Sequence, residues 1–296
     1  MTIARIAVGL HDQKICHMKK LLLLVLVAGM ATTQAQIKMP AASSTQTIVQ
    51  DFGLGRMELV YSRPNIKGRQ LFKENSELAP LDKVWRTGAN GATRLTLTDP
   101  VMMGGHNLDT GSYAIFTIPG KNDWTIIINK NARVSGTEYD SKADLFRFTV
   151  PAEKAKQNTE TFTMQFTDIK AESCALELLW GGISVRVPIT SSVIPRVRTQ
   201  VEKALMADKV NVNVYYAAAN FYYDMDKDLN KALANIAKAT DANPQAYYMF
   251  LLKARIEKDL GDKAAAKVDA QKCMALATAQ KNDDYVRMGS ELVQKL

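Results

Sequence analysis

The feature that most constrains the fold is a change of hydrophobic period near residue 190. Up to Ile189 the apolar residues come in short runs separated by turn signals, Pro64, Gly104-Gly105, Gly111, Pro119-Gly120 and Gly181-Gly182 among them. Runs of this length between Gly and Pro read as strands. After Pro195 the chain turns rich in Ala, Lys, Asp and Leu, and apolar residues recur at helical spacing. The expected fold is α+β with two segregated domains. An all-β sandwich or jelly-roll-like barrel over 36–190 is followed by a linker at 191–197 and an α-helical repeat domain over 198–296.

The clearest β unit is Tyr113 to Ile118, then Pro119 to Asp123, then Trp124 to Asn129, which reads as a hairpin. Ile126-Ile127-Ile128 is apolar on both faces, as a central strand covered on both sides requires. Leu145–Val150, Thr161–Asp168, Ala175–Trp180 and Ile183–Pro188 read as four further separate strands.

In the helical half the sequence repeats at an offset of 34 residues. Tyr216, Asn220 and Tyr223 lie on one helix face, Ala232, Ile236 and Ala239 on the next, and Pro244 closes the unit. Shifted by 34, Phe250 and Ala254 and then Ala266, Ala270 and Cys273 follow. Glu257 stands where the second copy should carry an aromatic. The pattern is tetratricopeptide-like, with an unrelated helical bundle as the alternative. Asp283 to Leu296 reads as a closing, solvating helix.

At the N-terminus Lys19-Lys20 precede the apolar run Leu21 to Ala31, and Thr33-Gln34-Ala35 ends it. This is the layout of a secretory signal over 1–35 with cleavage after Ala35, and the run is too short to span a membrane. Met18 is an alternative start, which makes 1–17 an upstream extension. The expected location is exported, periplasmic or extracellular in a Gram-negative bacterium, with no transmembrane span in the mature chain.

Loss of the leader lowers the net charge from +8 to +5 and removes His11, His17 and Cys16. Scattered basic residues give no nucleic-acid surface. One histidine, His106 in an apparent turn, and two cysteines leave no multi-histidine metal site, so no metal and no cofactor are expected. Cys174 alternates with Leu176, Leu178 and Trp180, whereas Cys273 lies on an Ala-rich helix; a bridge and two separately buried thiols both fit. Glu58, Glu74, Glu77 and Asp82 are available carboxylates, but no spacing selects a pair, so no catalytic residue is assigned.

Three segments concentrate unusual side chains: Tyr61 to Asn65, Gly68-Arg69, and Lys83 to Asn90. With the Gly111 to Trp124 hairpin, they make residues 45–190 resemble the uncharacterised bacterial family called domain of unknown function 2911. Its most specific mark here is Val84-Trp85-Arg86-Thr87-Gly88-Ala89-Asn90, and a departure is Gly91, where the resemblance implies an acidic residue. The resemblance implies a fold and an exported setting, and no activity.

Trp85 and Arg86 must point to opposite sides if the segment is extended, Trp85 either filling the core or serving as a stacking platform. Arg63, Lys83, Arg86, Thr87 and Asn90 are the candidate ligand-binding residues, suited to a small anionic ligand or an envelope glycan through bidentate hydrogen bonds. The alternative is that these groups bond loop carbonyls and hold the turn. Tyr216, Asn220 and Tyr223 mark a candidate groove for a protein partner. The expected role is a binding or scaffold protein. A glycan hydrolase using a carboxylate pair and a purely structural helical tail are the alternatives.

Overall fold

The computed structural model describes residues 39–133 and 138–296. The expected signal segment lies outside the described residues. Nine strands come first: β1 (Ser44–Phe52), β2 (Gly55–Arg63), β3 (Thr93–Leu97), β4 (Val101–Met103), β5 (His106–Leu108), β6 (Gly111–Pro119), β7 (Asp123–Asn129), β8 (Asp144–Thr167) and β9 (Ser173–Thr190). Six helices follow: α1 (Ile194–Leu205), α2 (Val212–Asn220), α3 (Leu229–Ala242), α4 (Tyr247–Asp259), α5 (Lys263–Ala279) and α6 (Asp283–Gln294). The α+β division expected from the change of period is the observed one.

The strands form one antiparallel sheet in the order β1-β2-β3-β6-β7-β8-β9-β4-β5. Alternation decides the inner face, so Met57, Leu59 and Tyr61 of β2 are buried while Glu58 and Val60 between them are less so. β7 holds the middle of the order. Its Ile126 and Ile128 enter the main core and Ile127 enters a small cluster on the opposite face with Ala114 and Phe116. The isoleucine run is thus covered on both sides, as its composition requires.

All nine strands stay in one sheet because β8 and β9 are long enough to pair on both sides of it. The four strands expected over 145–188 are two, of 24 and 18 residues. The polar stretch Glu153 to Gln157 and the Gly181-Gly182 pair look like loops in sequence. Register shifts in β8 on either side of Thr159, opposite Gly181, turn them into a bend within a continuous ribbon. At the far side the sheet closes on itself: Ile66 N–H donates to Glu160 O and Phe162 N–H to Pro64 O, at 3.1 and 2.9 Å. His106 is in a strand rather than a turn; Gly104 and Gly105, at φ +58° and +85°, make the β4–β5 turn before it.

α1 begins at Ile194, inside the expected linker, because Pro195 falls in the first helical turn, where no N–H is needed. Glu172 Oε1 accepts from Val193 N–H and Ile194 N–H, and Arg196 forks onto Asp99 at 2.6 and 2.7 Å. These bonds clamp α1 to the β domain beside a cleft of about 670 Å³. The arginine holds the Asp99 carboxyl below the usual aspartate range.

The 34-residue offset recurs in the helices. Asp228 and Asp262 cap α3 and α5 through their side chains, and Ala232, Ile236, Ala239 and Ala266, Ala270, Cys273 are all fully buried. The expected closing helix is α6, with Leu292 buried and Tyr285 and Met288 packed on the same cluster. Cys174 and Cys273 are free and separately buried, and burial pushes both thiols up to about 11.

Candidate functional site

The segment after Lys83 prolongs the β3–β6 ladder by one bridge. Trp85 N–H donates to Thr117 O at 2.7 Å and Thr117 N–H returns to Trp85 O at 2.9 Å. This pairing aims Trp85 into the main core. There it stacks on Trp180 at 5.4 Å between centroids and meets Phe162 edge-on at 5.0 Å, so it is core and not a platform. Its indole N–H reaches Gly88 O at 3.1 Å, drawing the following residues into a tight loop.

That loop has an unusual backbone. Thr87, Gly88 and Asn90 have φ of +56°, +151° and +60°. A β-branched residue in the left-handed region is strained, and such strain persists only where the surroundings hold it. The holding groups are visible: Thr93 Oγ1 donates to Thr87 O, and the Thr87 hydroxyl lies 3.2 Å from Thr117 Oγ1. Gly88 admits no side chain, since a Cβ would stand 2.9 Å from Ser62 O.

The five candidate residues divide sharply. Arg63 donates from Nε to Phe162 O and from Nη2 to Thr163 Oγ1, tying β2 to β8. Thr87 is wholly buried. Asn90 donates from Nδ2 to Ser62 Oγ at 3.1 Å and to Ser43 O at 3.4 Å. For these three, the structure shows the internal bonding that the sequence left as an alternative to ligand contact. Lys83 is exposed. Arg86 is half-buried with its Nε closed to solvent and unpartnered among the described residues.

Alternation along the extended segment turns Arg86 away from the Trp85 side, and on the sheet face opposite the main core Ala114, Phe116 and Ile127 form a small cluster. Tyr139 packs on Phe116 there at 4.8 Å. Its hydroxyl donates to Asp144 Oδ2 at 2.6 Å, which also accepts from Arg147 Nε at 2.9 Å, while Asn129 Nδ2 donates to Asp144 Oδ1 at 2.7 Å. Burial, and then Asp144, push the Tyr139 phenol up to about 12. The sequence held no sign of this network, because Asn129, Tyr139, Asp144 and Arg147 share no motif and meet only through the β7–β8 turn.

In the helical domain Tyr216 meets Tyr248 edge-on at 5.2 Å, Asn220 donates to Tyr216 O at 2.8 Å and Tyr223 donates to Asp259 at 2.7 Å. Burial, then Asp259, pushes the Tyr223 phenol up to about 12. The two tyrosines thus join α2 and the π-helical segment that continues it, Phe221–Asp226, to α4. Among the carboxylates, Glu58 pairs with Arg94 at 3.8 Å, and Glu74, Glu77 and Asp82 are exposed. Among the described residues no three His, Cys, Asp or Glu side chains converge to hold a metal, and no helix is long and apolar enough to cross a membrane.

Residues 43–189 match the family model described as "Protein of unknown function (DUF2911)". This β domain belongs to that family. The DUF2911 match begins one residue before β1 and stops one residue short of the end of β9, so the helices lie outside it. No curated protein and no solved structure matches the chain.

Proposed function

We propose that the chain is an exported binding protein whose DUF2911 domain takes the anionic group of a small ligand or envelope glycan on Arg86. The observation that carries this reading is the Arg86 Nε–H, closed to solvent and without an acceptor among the described residues. An unsatisfied buried donor on a charged group costs on the order of 1–3 kcal/mol or more, and a carboxylate or phosphate oxygen reached by a turn of the half-buried side chain would remove that cost. The strained loop supports it, because a held left-handed Thr87 fixes the backbone beside the guanidinium.

Export rests on the Lys19 to Ala35 pattern. The helical domain, in this reading, is a tetratricopeptide-like unit for contact with a protein partner; the shared 34-residue offset of caps and buried small residues supports it.

Native mass spectrometry of the full chain purified from a Gram-negative periplasm tests the proposal. The wild-type protein is expected to carry an added mass that Arg86→Gln loses and Arg63→Gln does not. A bare wild-type mass in that experiment and after incubation with inorganic phosphate or glucuronate would overturn it.

A further inference from the structure

The second helical repeat carries a charged residue where the first carries an aromatic. Glu257 of α4 stands 34 residues after Tyr223 and is 5% exposed. Facing it from α5 is Asp269, 7% exposed. Lys253, one turn before Glu257, sits 2.9 Å from Asp269 Oδ2 and 3.7 Å from Glu257 Oε1. Glu257 Oε2 is closed to solvent and, among the described residues, has no partner as an ionised oxygen.

One ammonium cannot neutralise two buried carboxylates. The neighbours deepen the imbalance: Asp262, which caps α5, adds negative charge to Glu257, and Asp241 near the end of α3 acts on Lys253. On α6, Asp284, Arg287 and Glu291 pair with one another on an exposed face. Two like charges in one buried site raise the proton affinity of one of them, and a protonated Glu257 can donate to Asp269.

We propose that Glu257 and Asp269 share one proton at neutral pH, which makes the α4–α5 interface a proton-sensitive joint within the helical domain. The joint is tight while the proton is held and loosens when it leaves. Burial, then Asp269, pushes the Glu257 carboxyl up to about 7. A carboxyl raised in the folded state stabilises it fully below the unfolded value of about 4.5, and the contribution disappears as pH rises through about 7. The α4–α5 contact therefore weakens toward alkaline pH, opposite to the effect of Asp99, whose lowered carboxyl stabilises above its ordinary range. This inference stands apart from the Arg86 site.

The test uses the full chain. Melting followed at 222 nm at pH 5.5 and 8.5 reports the helices, and tryptophan fluorescence, which comes only from the β domain, serves as the internal reference. The helical midpoint of the wild-type protein is expected to fall by about 5 °C between the two pH values, and that of Glu257→Gln by less than about 1 °C. A ¹³C-carboxyl titration of glutamate-labelled wild-type protein should show one midpoint near 7 that moves down in Asp269→Asn. A Glu257 midpoint in the ordinary glutamate range, or an undiminished pH effect in folded Glu257→Gln, overturns the proposal. The carboxyl titration decides the matter if the glutamine variant does not fold.

Discussion

The β domain and the helical domain are held together on different length scales, and the difference sets what each can tolerate. In the β domain the decisive bonds join residues about a hundred positions apart: Tyr61 O–H with Met164, Arg63 with Phe162 and Thr163, and Asn65 with Thr161. In the helical domain the buried small residues of α3 and α5 meet neighbours one or two helices away. A sheet closed by distant contacts can hold a strained loop such as Thr87 to Asn90, because many groups over-determine its position. A stack of helix pairs stores its irregularity locally, as at Glu257.

The contrast can be broken at its strongest point by Trp85→Ala. Removing a side chain stacked on Trp180 and touching Phe162 is expected to cost the β domain about 3–5 kcal/mol. In unfolding experiments the fluorescence transition should fall while the 222 nm transition stays near its wild-type midpoint. A parallel collapse of both would mean that the domains are one cooperative unit. The complementary change, Ile236→Ala in α3, should cost about 2–5 kcal/mol in the helical transition alone, since Ile236 is fully buried there.

Arg196→Ala sharpens the comparison at the clamp. Among the described residues it leaves the buried Asp99 carboxylate with Leu54 N–H alone as a donor, and a loss of about 1–3 kcal/mol is expected. Because Asp99 is held below its usual range by Arg196, the clamp's contribution is full above the ordinary aspartate range and shrinks as pH falls below it toward the lowered folded value. Chemical denaturation of both proteins at pH 7 and pH 3.5 checks it. An equal loss at both values would show that Arg196 acts by packing alone.

The smallest effect is expected at Thr87→Gly. Glycine relieves about 1–2 kcal/mol of left-handed strain but removes the hydroxyl that bonds near Thr117, so the net change should stay within about 1 kcal/mol. A larger loss by denaturant melting would mean that the hydroxyl, not the backbone, organises the loop.

These regions were unequally legible. The helical domain shows itself through local period, so the 34-residue offset found α3 and α5, and Asp228 and Asp262 mark their starts. The β strands showed themselves through alternation wherever one face is buried, as in β2 and β7. Alternation failed at Glu153 to Gln157, where polar residues point outward along a bent edge, and at Gly181-Gly182, whose glycines serve a bend inside a strand. The closure of 64–66 on 160–162 left no trace, since nothing local encodes a pairing across that distance. At the candidate site the motif drew attention to the loop after Lys83, yet could not separate Arg63, Thr87 and Asn90, which bond inward, from Arg86. That separation depends on which acceptors the finished fold brings near each donor.

The most direct test of the Arg86 account is the ¹H–¹⁵N signal of its Nε–H in the full chain, assigned by its loss in Arg86→Gln, titrated with glucuronate and with inorganic phosphate. The account predicts a saturable downfield shift for at least one anion, weakened by added salt, with the Arg63 Nε–H signal unmoved. An Arg86 signal unchanged by both anions, or a shift shared equally by Arg63, would contradict it.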